Sequence, residues 1–391
     1  MSAAPVRFGL VGTGWRSEFF VRLAQKLPDR LTVTGVVSRS PERAAEVEAA
    51  WGVPACRSID ELLAGPGASE SPGSPKSPGA PESSGAPESS GAPESSGAPE
   101  FVIPSVPWSV TPEVTKDLVR REVPVLAETP PAADLEGLRD LWRETGGSGL
   151  VQVAEQYPLM PGHAARLALL REGVIGEVTS VQMSSTHLYH AVSLIRHTLG
   201  VGFEPATVTA RSFTAPLADP LSREGWADDL TPKDAATTIA LMDFGGRTGL
   251  YDFTDNQWWN PLRGRRMVVR GSLGEIVDDQ VVRMADPRTP VESPLVRRRT
   301  GTDLNLEGSE LHHITFDGRV VYRNEFVGAN LSEDDLAVVD LLCRTGAWVR
   351  GEAPEPYPLA EGCQDHQISL AIEESARTGT AVTTTREAWA V

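Results

Sequence analysis

Short, nearly unbroken apolar runs alternate with segments whose apolar residues recur every third or fourth position through the first 153 residues of the chain. The runs at 7–11, 31–37, 101–106, 123–127 and 150–153 have the length and continuity of strands buried on both faces. Between them, Phe20, Leu23, Ala24 and Leu27 share one face of a helix over 17–27. Ser40-Pro41-Glu42 supplies an N-cap, a proline at the first helical position and an acid in the first turn, predicting a helix that ends before Gly52. Thr111-Pro112-Glu113 repeats the device, Ser58 and Glu61 form a capping box for a short helix ending near Leu63, and another helix is expected from about Asp134 to Glu144. Strands alternating with helices predict an α/β domain built on a parallel, doubly wound sheet.

Beyond residue 154 the rhythm changes. Helices at 162–172 and 188–199 precede strand-like runs at 206–213, 237–244, 249–254, 265–271, 275–277 and 319–322, and helices at 332–345 and 359–378 close the chain. Grouped strands of this kind predict an α+β domain with a largely antiparallel, open sheet covered by helices on one face. The expected division is a dinucleotide-binding domain at 1–130 and a substrate and dimerisation domain at 131–391, with 131–153 still packed on the first sheet.

One segment fits neither domain. From Gly65 to Glu100 the chain uses only Gly, Pro, Ser, Ala, Glu and one Lys, ending in SSGAPE hexads that can bury no core. It reads as a flexible, acidic insert, at 65–100, in a helix-to-strand connection. The whole chain of 391 residues carries a formal charge of −17, which argues against nucleic-acid and anionic-membrane partners and leaves dissolved small molecules as ligands. Cys56, Cys343 and Cys363 are far apart and show no metal or disulfide spacing. No signal-peptide plan or membrane-length apolar run is present, so a soluble cytoplasmic protein is expected.

Chemistry enters directly after the first strand. Gly12-Thr-Gly14-Trp-Arg-Ser17 is a Gly-x-Gly-x-x-Ser turn, where glycines let backbone amides approach a pyrophosphate seated on the following helix N-terminus. Gly12, Thr13, Gly14, Trp15 and Arg16 are therefore candidate dinucleotide contacts. The second strand ends at Ser38-Arg39-Ser40 without the acid that would bind ribose hydroxyls, and Arg39 and Arg43 suit a 2′-phosphate. NADP(H) is expected over NAD(H), although Arg39 also reads as a solvated loop charge.

Gly9-Leu-Val-Gly-Thr-Gly14, Val123-Pro-Val-Leu-Ala-Glu128-Thr-Pro130, Ala154-Glu-Gln-Tyr157 and the helix from His190 to Gly200, in that order, resemble the Gfo/Idh/MocA family of glucose-fructose oxidoreductase and inositol dehydrogenase relatives. The resemblance implies an N-terminal Rossmann domain and a C-terminal α/β domain whose open sheet makes a homo-oligomer. It also implies oxidation or reduction of a carbinol on a sugar or cyclitol. Cofactor contacts then extend to Ser105, Pro107, Glu128 and Pro130. The family's Glu-Lys-Pro reads Glu128-Thr129-Pro130 here, and its Asp-x-x-x-His pair falls on Thr186 and His190, so the lysine and the aspartate are both missing. His190 is the implied proton-exchanging group, with Thr129, His187 and Tyr189 as further catalytic candidates. Losing partners for a general base, an effect worth about 10² to 10⁴ in rate, predicts slow alcohol oxidation.

Tyr157 is the implied substrate contact. Trp258 and Trp259, beside Asn256 and Gln257, combine flat apolar faces with amides as carbohydrate sites do, and equally suit core or dimer contacts. His187 and His190 share a helical face at a spacing that could hold a metal, but no third ligand is apparent and none is expected. Arg297-Arg298-Arg299 reads as a solvated loop or a contact for an anionic substrate group. The expected function is a hydride-transferring oxidoreductase of a sugar-like or cyclitol-like molecule. The alternatives are an imine or carbonyl reductase, and a dinucleotide-binding sensor or assembly protein without catalysis.

Overall fold

The structure is a computed structural model that describes residues 4–65, 97–301, 304–305 and 307–390. The N-terminal strands and helices come in the order β1 (Val6–Val11), α1 (Trp15–Lys26), β2 (Leu31–Val37), α2 (Pro41–Trp51), β3 (Ala55–Cys56), α3 (Ile59–Ala64), β4 (Phe101–Pro104), α4 (Thr111–Arg120), β5 (Val125–Ala127), α5 (Leu135–Thr145) and β6 (Val151–Val153). All six strands pair in parallel in the order β3-β2-β1-β4-β5-β6, the doubly wound sheet read from the sequence. The order reverses between β1 and β4, so the crevice above their carboxyl ends is where a dinucleotide binds in such sheets.

Ser40 caps its helix as the sequence implied, its Oγ accepting the Arg43 amide, and Asp134, where a helix was expected to begin, proves to be a cap that accepts from Gly137. Two details differ. Ser58 accepts the Glu61 amide, but the Glu61 carboxylate returns to the amide of Arg57 rather than of Ser58, so the box is half made. Thr111 caps nothing: its hydroxyl donates to the carbonyls of Val106 and Pro107, and the helix begins after an uncapped Val110.

The remaining elements are α6 (Pro161–Arg171), β7 (Val178–Ser184), α7 (Leu188–Leu199), β8 (Thr207–Leu217), β9 (Leu221–Ser222), β10 (Gly225–Trp226), β11 (Lys233–Asp243), β12 (Thr248–Thr254), β13 (Arg266–Gly271), β14 (Gly274–Val277), β15 (Gln280–Asp286), β16 (Thr289–Pro294), β17 (Val296–Thr300), β18 (Glu310–Phe316), β19 (Arg319–Arg323), α8 (Glu333–Val349), α9 (Leu359–Thr378) and β20 (Val382–Thr383). Nine strands form a second sheet in the order β16-β15-β14-β13-β7-β12-β11-β8-β20, antiparallel except where β12 meets β7. The fully buried face of α7 and the α9 helix cover one side of it. The opposite side leaves Phe213, Ile239 and Leu241 exposed, around a concavity of about 220 Å³ bordered by Asp252 and Arg266.

Strands β7 and β15 to β18 exceed the sequence reading. β15 to β17 bury few of their side chains, so charged and polar residues occupy most of their positions and leave little apolar periodicity. Arg297 to Arg299 consequently lie in a strand, β17, and form no solvated loop. Arg297 is engaged by Asp279 and, at 2.9 Å, by Glu333, which removes it as a free contact for an anionic substrate.

The two sheets are tied together by the last helices. Arg22 of α1 holds Asp335 of α8 at 2.6 Å, and Arg350 after α8 holds Glu100 at 2.6 Å. Gly346 and Gly362 are glycines because a Cβ there would lie 2.5 Å from Val6 and 2.7 Å from Val153, respectively.

Most of the expected insert, 66–96, lies outside the described residues. Its two ends meet: a Cβ on Gly65 would lie 3.6 Å from the Ala98 amide, and Glu100 is held by the Arg7 amide at 2.8 Å. Both ends are at the amino-terminal side of β4, opposite the ligand crevice. Deleting 66–96 and joining Gly65 to Gly97 is therefore expected to leave dinucleotide affinity unchanged and to shift the melting temperature by no more than about 4 °C, since even a doubling of loop length costs only about 0.6 kcal/mol. Fluorescence titration and a thermal melt check this, and lost affinity in a folded variant would refute it.

Candidate active site

The dinucleotide turn is shaped by what it lacks. Gly12 has φ +111°, and a Cβ there would lie 2.2 Å from the Ser105 carbonyl oxygen, so β1 and the segment after β4 approach backbone to backbone. Gly14 caps α1 with no side chain and has nothing within 4 Å of its missing Cβ, leaving open space before the first amides of the helix. An uncapped helix start opening on free space fits a pyrophosphate. The Ser17 hydroxyl closes the turn from within by donating to the Gly12 carbonyl at 2.8 Å.

Trp15 projects to solvent at the start of α1 with Arg223 stacked 3.9 Å over its ring, which brings the β9–β10 hairpin of the second sheet's region to the edge of the turn. At the second strand end Ser38 is buried, Arg39 is exposed, and the Arg43 guanidinium bonds Glu46 at 2.8 Å and the Thr13 carbonyl at 3.0 Å. Arg43 thus touches the turn, Arg39 makes no ion pair among the described residues, and Ser38-Arg39-Ser40 brings no carboxylate to the strand end. Ser105 backs the turn, whereas Pro107 is exposed in the loop beyond β4.

Arg16 links this turn to the next strand. Its Nε lies 3.0 Å from Glu128 at the end of β5, just before Thr129 and Pro130. The Tyr189 hydroxyl reaches the Thr129 carbonyl at 3.5 Å, and the Tyr189 and His190 rings are 4.5 Å apart. Tyr157 packs on the other side of His190 at 4.4 Å. His187 lies 5.1 Å from His190 and 4.6 Å from Trp258, whose indole donates to Thr186 at 3.4 Å. These residues from α1, β5 and α7 and from the segments after β6 and β12 form one cluster. Trp259 does not join it and remains 41% exposed.

The sequence reading missed Glu155. Its carboxyl lies 2.6 Å from His190 Nδ1, is 2% exposed, and also accepts the Tyr157 amide at 3.0 Å. Burial pushes Glu155 up to about 8 and His190 down to about 3, each toward its uncharged form. Burial and the neighbouring His190 likewise hold His187 down, to about 3. The only sequence signal was an acid two residues before Tyr157 in a stretch already marked by the family resemblance. A void of about 10 Å³ lies between Thr129, Glu155, Tyr189 and Asp365, space for about one water. It is too small for a sugar-sized molecule. Among the described residues no group of three or more His, Cys, Asp or Glu is placed to hold a metal ion.

A doubly wound parallel sheet with a glycine turn at its switch point, joined to a sheet-and-helix domain that brings a histidine to the crevice, defines the class of NAD-binding Rossmann oxidoreductases. Residues 6–155 match the Gfo/Idh/MocA family, described as an oxidoreductase family with an NAD-binding Rossmann fold, in line with the resemblance carried by the sequence motifs. No curated protein sequence matches it.

Solved structures share the fold over nearly the whole chain. A levoglucosan dehydrogenase in complex with NADH and levoglucosan is 17% identical with TM-score 0.63, covering 97% of this chain and 99% of that one. A myo-inositol dehydrogenase from Corynebacterium glutamicum is 17% identical with TM-score 0.60 and the same coverage. The WlbA dehydrogenase from Bordetella pertussis, in complex with NADH and UDP-GlcNAcA, is 16% identical with TM-score 0.58, covering 98% and 99%.

Proposed function

We propose that the chain is an NADP(H)-dependent oxidoreductase acting on a carbinol or carbonyl carbon of a sugar-like or cyclitol-like molecule. One observation carries this reading: His190, hydrogen-bonded to a buried carboxyl, stands in a cluster that Arg16, Glu128 and Thr129 connect to the dinucleotide turn. Gly12 to Arg16 would hold the pyrophosphate and Arg39, with Arg43, the 2′-phosphate. The nicotinamide would supply or accept the hydride. His190 exchanges the proton of the substrate oxygen through Nε2, because Nδ1 is engaged by Glu155. Tyr157 and Trp258 flank the histidines with ring faces suited to a saturated ring, and the sugar ligands of the levoglucosan dehydrogenase and WlbA structures support that substrate class.

Dissociation constants for NADPH and NADH, from nicotinamide fluorescence with wild type and Arg39→Asp, test the cofactor assignment. NADPH is expected to bind more tightly by about tenfold, roughly 1.4 kcal/mol, and Arg39→Asp to reverse the order. Tighter NADH binding in wild type would remove the NADP(H) preference, and binding of neither would remove the oxidoreductase reading. Turnover on a panel of cyclic polyols and their ketones then separates an enzyme from a dinucleotide-binding sensor, which would bind without turnover.

A further inference from the structure

Glu155 stands 35 residues before His190 in sequence, in the segment after β6, and no catalytic pattern in the sequence points to it. Yet its position decides what His190 can do. An imidazole engaged at Nδ1 has only Nε2 left for the cleft. When the pair holds just the proton that belongs to the neutral ring, the carboxylate draws that proton to Nδ1 and Nε2 presents a lone pair. Add one proton and Nε2 carries a hydrogen, whether the added proton rests on the carboxyl or on the ring.

We propose that Glu155 is the positioning residue of His190, and that the proton count of this hydrogen-bonded pair sets whether Nε2 faces the cleft as donor or as acceptor. The inference rests on the reading of His190 as the proton-exchanging group. In reduction, a hydride adds to the carbonyl carbon and the π pair moves to oxygen, which takes the Nε2 proton. The electron pair of that N–H bond returns to the ring, and Nδ1 takes the proton shared with Glu155, leaving a carboxylate. Oxidation runs the same steps backward, the carbinol proton passing to Nε2 and the Nδ1 proton returning to Glu155. The aspartate expected at 186 is thereby replaced from a different element, while Thr186 is committed to Trp258.

The charges around the pair come from several elements. Arg16 of α1 favours the Glu155 carboxylate and disfavours the imidazolium, whereas Asp334 of α8 acts in the opposite sense on both. Glu128 at the end of β5 and Asp365 of α9 also favour the imidazolium. On α7 and at its N-cap, Tyr189 and His187 are held uncharged by burial, and His197 of α7 favours the Glu155 carboxylate. Desolvation outweighs all of these, so the carboxyl pushed up to about 8 keeps the added proton at neutral pH. Nε2 is then a donor suited to carbonyl reduction. Its competence as a base for oxidation grows as pH rises through about 8.

Nitrogen NMR of ¹⁵N-histidine-labelled protein reads the tautomer directly, with His190→Gln assigning the signal among the seven histidines. His190 is expected to carry hydrogen on Nε2 at about pH 6 and to convert, in a single step centred toward pH 8, to the Nδ1–H form. Glu155→Gln, of the same shape, has no proton to release and should abolish that step; Glu155→Asp should keep it at a displaced pH. A wild-type His190 held in one tautomer from about pH 6 to 9.5, or a Glu155→Gln protein that converts as wild type does, overturns the proposal. NADPH and NADH titration of the same samples keeps the two readings apart, because failure to bind either removes the oxidoreductase assignment and leaves the pair standing.

Discussion

His190→Ala is expected to lower kcat by about 10²-fold or more on whichever polyol or ketone is turned over, with NADPH affinity nearly unchanged. A carbinol cannot release hydride and keep its hydroxyl proton, nor can a carbonyl accept hydride without gaining one, so the group within reach of that oxygen carries a large share of the barrier. His190 is positioned by Glu155 at 2.6 Å and by the Tyr157 and Tyr189 rings, and no ion pair of the dinucleotide turn involves it. Truncation leaves Glu155 buried, but burial already favours its neutral form, so the fold should survive. Steady-state kinetics beside fluorescence titration provides the measurement. A fall of less than about tenfold would transfer the proton role to His187 or Tyr189.

Gly12→Ala and Gly14→Ala should separate folding from binding. At Gly12 a methyl group meets the Ser105 carbonyl oxygen at 2.2 Å with φ at +111°, a backbone region that costs a non-glycine residue about 1 to 3 kcal/mol. Gly12→Ala is therefore expected to lower both the melting temperature and dinucleotide affinity, the latter by roughly tenfold or more. At Gly14 the added methyl touches nothing in the protein and enters the space before the first amides of α1. That variant should melt as wild type does and still bind nicotinamide dinucleotides more weakly. Equal, undiminished affinity in both variants would place the cofactor elsewhere.

The parts of the site that were legible in the sequence are those written locally. The glycine turn, the Ser40 cap, the bare second strand end and the helix bearing His190 each declare themselves within about a dozen consecutive residues, because turn chemistry and helical spacing are short-range properties. Glu155 was not legible, since its contact with His190 joins a loop after one sheet to a helix over another. Arg297 failed for the same reason: a basic run looks solvated until Asp279 and Glu333 close on it from distant positions. The polar strands β15 to β17 show a different limit, where half-exposed edges erase the apolar alternation that marks a strand. Trp258 and Trp259, indistinguishable as neighbours, were separated only by the turn after β12, which faces one toward His187 and the other toward water.

The dependence of the first sheet on α8 and α9 has a consequence for synthesis on the ribosome. Strands β1 to β6 are complete once residue 153 has emerged, but the partners of Val6, Arg22, Glu100 and Val153 lie at 335 to 362. At about 5 to 20 residues per second, the nascent first sheet waits on the order of ten seconds or more with those flanks bare. Its apolar margins are then open to chaperones and to neighbouring chains until residues 335 to 362 have emerged and packed against them.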